Sequence, residues 1–145
     1  MPDFYILTCE GECMAPEIPN GAPVLVDKHG KFGPGDLVVL FFRPEHVPAG
    51  MHQAILKRLA MALPPWVRRF PFREHPESEV HALVVVECTN PLRRFAYKAE
   101  HLLGIHRCHG TLPNDAVHDP KRKSWTIPSL AVPQVGIRRP EAVRT

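Results

Sequence analysis

The sequence predicts a small, mostly antiparallel β fold, and three observations carry that prediction. The apolar residues fall in short runs rich in Val, Leu, Ile and Phe, too brief for helices and well suited to strands. The 17 prolines, more than twice the number expected at the usual ~5%, lie between those runs and not inside them, which reads as short strands joined by stiff loops. A chain of 145 residues holds one domain with a modest core, or a smaller domain with a tail.

Ile6 and Leu7 belong to a short opening strand or lead-in. The Gly11 to Gly21 segment, with Pro16 and Pro19, is a loop, and Ala22 to Asp27 (APVLVD) is a strand. Gly33, Pro34, Gly35 and Asp36 build a turn into Leu37 to Phe42 (LVVLFF), a buried strand, with Arg43 to Met51 as its exit loop. Gln53 to Leu59 is ambiguous, because Ala, Leu, Lys and Arg favour helix on propensity alone. As a strand it puts Gln53, Ile55, Lys57 and Leu59 on one face and Ala54, Leu56 and Arg58 on the other. His81 to Glu87 is a further strand, Asn90-Pro91 a turn, and Ala99 to Arg107 a final strand in which Gly104 marks a bend or bulge.

Two stretches stand outside the pattern. Leu63 to Ser78 mixes Trp66, Phe70 and Phe72 with Arg68, Arg69 and Arg73, is long for a hairpin connection, and reads as a loop for substrate or partner. Residues 111–145, rich in proline and positive charge, read as a mobile or extended C-terminal arm beside a domain at 1–110, with Trp125, Ile127 and Leu130 available to dock on it.

Composition narrows the function classes. A net charge of +3 tolerates an anionic partner without demanding one. The longest apolar run falls far short of the ~20 residues that cross a bilayer, and the first residues have neither the basic lead nor the apolar length of a signal peptide, so a soluble cytoplasmic protein without membrane contact is expected. Cys9, Cys13, Cys88 and Cys108 form no dense disulfide framework. Neither Cys9 with Cys13 nor His106 with Cys108 and His109 has the paired short spacings of a structural zinc site, so no metal and no cofactor are expected.

Read in order, Gly11, Cys13, Met14 and Pro16; Pro19, Asn20 and Gly21; Gly35 and Asp36; Lys57 and Arg58; Asn90-Pro91; and Leu102 to Arg107 form a series more specific than any one member. Over roughly residues 4 to 108 the series resembles the C-terminal peptidase domain of LexA, UmuD and phage repressors, whose core is shared with type I signal peptidases. The resemblance implies a small LexA-like antiparallel β fold, a homodimer, a role linked to the SOS response to DNA damage, and a nucleophile and lysine base at Cys13 and Lys57. It further implies oxyanion donors from backbone N–H groups at the Cys13 loop, whose path Gly11 and Pro16 help to set, with Met14 packed beneath. A protein or peptide substrate adds as an extended strand along the cleft.

The chain departs from that pattern in holding cysteine where the family holds serine and Ala22 where an acidic residue is usual. The family's cleavable segment upstream of the nucleophile has no counterpart in the twelve residues before Cys13. Ala49-Gly50 has the bond type the family cuts but lies in a hairpin loop, and is read as coincidence. In a serine–lysine pair the amine must be neutral, which burial between Ile55 and Leu59 favours; a thiol ionises near ~8.5 and needs less help, so the pair also works as thiolate and ammonium.

The leading expectation is thus a peptidase that hydrolyses a peptide bond of a partner protein or of its own tail. The competing one is a non-catalytic dimeric module of the same fold that binds a regulatory partner. Nucleic-acid binding through Arg68, Arg69, Arg73 and the tail cations is a third, with no base-reading motif beside it and a steep salt dependence as its requirement.

Overall fold

The computed structural model describes residues 4–47, 52–63, 83–121, 124–127 and 141–144. Among the described residues ten strands follow one another: β1 Phe4–Glu10, β2 Pro23–Asp27, β3 Leu37–Phe42, β4 Ala54–Leu59, β5 Leu83–Thr89, β6 Leu92–Lys98, β7 Leu102–Thr111, β8 Val117–Asp119, β9 Ser124–Thr126 and β10 Glu141–Arg144. The mostly β expectation therefore holds. Eight strands make one sheet in the order β10-β1-β2-β7-β3-β4-β5-β6, and β8 pairs with β9 in a separate ribbon. From β1 to β6 all neighbours run antiparallel, whereas β10 is parallel to β1 and also meets β4 through Arg144 and Ile55. That double pairing closes β10, β1, β2, β7, β3 and β4 into a ring, and the β5–β6 hairpin extends from it.

Strand alternation explains the core. Leu7 and Cys9, Val24 and Val26, Leu37 and Val39, Ala54 and Leu56, with Cys108, point to one side and bury together with Met14 and Ile18, filling the ring. Val38, Leu40, Phe42, Ile55, Leu59 and Ile105 point to the other side, where Val84, Val86, Ala99 and Leu102 cover them. A third, smaller cluster joins Ile6 and Leu25 to Ile127, just after β9.

β3 has the boundaries read from sequence, and β4 is a strand, because both its edges are paired and tertiary context overrides helix propensity. Two sequence readings are corrected, and the bulge expected at Gly104 is found. LRRFAYK, not assigned before, forms β6 along the outer edge of β5. The last long strand begins at Leu102, not Ala99, because Ala99–His101 close a 3-10 turn in which the Leu102 N–H bonds Ala99 O. Its bulge lies beside Gly104: Phe41 pairs with Gly104 and Phe42 with Leu102, leaving Leu103 as the extra residue. The C-terminal arm also returns to the domain, through buried Ile127 and through β10.

Candidate active site

β1 delivers the chain into the Cys13 loop, whose neck is closed by backbone bonds from Cys9 N–H to Ala22 O (2.8 Å) and from Gly21 N–H to Cys9 O (2.7 Å). Gly11 has φ of 105°, a conformation that disfavours side chains, and its N–H donates to Asn20 Oδ1 at 3.0 Å. Met14 and Ile18 are fully buried under the loop and linked by the Ile18 N–H to Met14 O bond (2.9 Å). Pro16 is exposed at the rim.

Cys13 is half-buried against the ring core. Its carbonyl accepts from two consecutive amides at the β5–β6 turn, Thr89 N–H at 2.9 Å and Asn90 N–H at 2.8 Å, and Asn90 Nδ2 donates to Glu12 O at 3.2 Å. The Asn90-Pro91 turn is therefore a clamp on the backbone at Cys13.

Lys57 sits on β4 opposite Val38 and is only 5% exposed, while its neighbour Arg58 is half-buried. Its Nζ lies 5.4 Å from the centre of the Phe95 ring, within cation–π range. Arg58 pairs with Glu87, and continuing that antiparallel register by one pair sets Lys57 opposite Cys88. Cys88 directly precedes Thr89, whose amide binds Cys13. Val86 belongs to the outer core, Cys88 to the ring core, and Phe95, cross-strand from Val86, packs against both. The end of β5 thus joins the loop that carries Cys13 to the strand that carries Lys57.

Arg58 does more than face away from Lys57. Its guanidinium bonds the Glu17 carboxylate and Gly35 O, tying the far side of the Cys13 loop to β4 and to the turn before β3. Phe95 was not found by motif reading, although its alternation with Tyr97 in LRRFAYK was an available signal. Arg58 entered the motif series only as the neighbour of Lys57, and its partners Glu17 and Gly35 left no local signal because they are remote in sequence. Trp66, Phe70 and Phe72 lie outside the described residues.

The four cysteines are free thiols, and burial pushes the Cys108 thiol up to about 11, which leaves it inert. Among the described residues no group of three or more His, Cys, Asp or Glu side chains is arranged to hold a metal ion, and no helix is long and apolar enough to cross a membrane. On the other side of the ring, buried His106 bonds the Tyr5 hydroxyl through Nδ1 and packs 4.8 Å from the Phe41 ring centre; burial lowers its pKa to about 4. Comparison of the chain with protein-family models, with curated proteins and with solved structures finds no match.

Proposed function

We propose that the chain is a LexA-like peptidase in which a Cys13–Lys57 pair replaces serine and lysine, and that it hydrolyses a peptide bond of a partner protein or of its own arm. The carrying observation is β10. An extended segment runs parallel to β1, pairing Leu7 with Glu141 through Glu10 with Arg144, and touches β4 where Arg144 meets Ile55. Cys13 lies three residues beyond Glu10 and Lys57 two beyond Ile55. A peptide laid in that register and prolonged past the Arg144 position therefore runs toward both groups, the arrangement a hydrolase needs to present a scissile bond.

In this reading Cys13 attacks the carbonyl as thiolate, and Lys57 gives its proton to the departing amine, leaving a thioester and a neutral lysine. Water then attacks the thioester while Lys57 takes the water proton, which restores the thiolate–ammonium pair and releases the acid. The near-complete burial of Lys57 beside the Phe95 ring supports this reading, since it keeps the amine out of bulk water.

Digestion of a peptide library by the full chain, read by mass spectrometry, tests the proposal. Cleavage is expected to vanish in Cys13→Ala and Lys57→Ala and to persist in part in Cys13→Ser; cleavage that survives Cys13→Ala overturns it. The same groove also suits a second reading, a cytoplasmic dimeric regulatory module of this fold that binds a strand from a partner in the DNA-damage response without cutting it. Peptide capture equal in native protein and Cys13→Ala, with no product from either, selects that reading.

A further inference from the structure

The loop between β2 and β3 is built as a rigid cradle. Asp27 Oδ1 accepts the His29 N–H at 3.0 Å and Asp27 O the Gly30 N–H at 3.3 Å. Arg107 Nη1 donates to Lys31 O at 3.0 Å and lies 2.8 Å from Asp36 Oδ2, which also accepts the Gly33 N–H at 2.9 Å. The loop presses so closely on β7 that a Cβ at Gly30 would stand 2.8 Å from Arg107 Cβ and 2.9 Å from Asp27 Oδ2. Asp27, Asp36 and Arg107 are thus occupied in holding the loop.

What the loop presents is positive charge. Beside it opens a cleft of about 480 Å³ lined by Lys28, His29, Lys31, Phe32, Ile105 and His106, within the range of small-molecule sites. Among the described residues neither Lys28 nor Lys31 has a carboxylate partner. Phe32 and Ile105 supply an apolar wall, and His106, with Nδ1 engaged by Tyr5, keeps Nε2 as its second polar atom.

We propose that this cleft binds a small organic anion, a phosphate or carboxylate carried on a flat apolar body, with Lys28 and Lys31 taking the charge and Phe32 and Ile105 the body. Two cations beside a cleft of this size suit a small ligand better than a polyanion, whose affinity comes from many phosphate contacts spread along a surface. The site is separate from Cys13 and Lys57, and stands whether or not peptides are cut.

Calorimetric titration of the full chain with phenyl phosphate, inorganic phosphate and phenol tests it, alongside the imidazole NMR signal of His106. Phenyl phosphate is expected to bind at least tenfold more tightly than phosphate, phenol not to bind, and the His106 titration to move to higher pH when the anion is bound. The double variant Lys28→Ala/Lys31→Ala, in surface positions that leave the core intact, should weaken phenyl phosphate tenfold or more, and Phe32→Ala should narrow its advantage over phosphate. Equal affinity for phosphate and phenyl phosphate, unchanged binding in the double variant, or an unmoved His106 signal overturns the proposal.

Discussion

Lys57, on β4, and Lys28, in the loop that follows β2, are placed in opposite circumstances. Lys57 is enclosed by β3, β4 and the Phe95 ring, so its ammonium pays a desolvation cost that only chemistry or a precise partner justifies. Lys28 stands at the mouth of a cleft, in a loop whose carboxylates are already engaged by backbone amides and Arg107. The contrast separates two settings for positive charge: an amine almost wholly removed from water, where the proposed peptidase reading places its proton carrier, and one at the mouth of a cleft, where an anion can reach it.

The largest effect expected from breaking that contrast falls on Lys57. Lys57→Met keeps the aliphatic stem and removes the amine, so the fold should persist while peptide cleavage drops by about a thousandfold or more, as for loss of one member of a catalytic unit. Lys28→Met should leave cleavage within about twofold, because it touches neither Cys13 nor the strands that hold it. Initial rates on one peptide substrate, with circular dichroism to confirm folding, check both.

The two cores differ in the same manner. Leu56 is fully buried in the ring core among strands that meet on every side, and Leu56→Ala should cost about 2–5 kcal/mol in urea unfolding. Ile127 is equally buried but shares its small cluster with just two other buried residues, Ile6 of β1 and Leu25 of β2. Ile127→Val should cost about 1 kcal/mol, and a loss as large as that of Leu56→Ala would show the arm to be part of the cooperative core.

How much of this was readable before folding follows from where each signal lies. LVVLFF declared β3 because β-branched and aromatic residues buried on both faces need no partner to be recognised. LRRFAYK concealed β6, since an outer strand exposes Leu92, Arg93, Arg94, Ala96 and Lys98 and buries only parts of Phe95 and Tyr97. The Cys13 loop and Lys57 were legible as local motifs. Arg58 with Glu17, Tyr5 with His106, and β10 with β1 were not, because each depends on a register between segments far apart in the chain. Local pattern announces which residues are buried, and only the closed ring decides which of them meet.

His106 turns the anion cleft into a pH-dependent part of the fold. Its folded pKa of about 4 lies below the ordinary 6.5, so between these values the unfolded chain binds the proton more readily. Stability from this residue is therefore full above pH 6.5 and lost as the pH falls toward about 4, by at most about 3 kcal/mol. Urea midpoints measured from pH 7 to pH 4 should show that decline, and His106→Gln should flatten it. An anion such as phenyl phosphate should shift the decline to lower pH if it prefers the folded cleft.

The smallest effect concerns β10, which meets β4 through one residue pair and β1 through four. So short a parallel strand adds little to global stability, and in the proposed function it occupies the path of an incoming peptide. Val143→Pro removes one backbone donor from the strand and forbids its regular pairing. Unfolding free energy should change by less than about 1 kcal/mol, while amide exchange at Thr8 to Glu10 accelerates and peptide cleavage rises a few-fold as the groove is vacated. If exchange accelerates and cleavage falls, β10 completes the site by closing the ring; if neither changes, the groove is held by β1 and β4 alone. Either result separates a strand that competes with substrate from one that supports the pair.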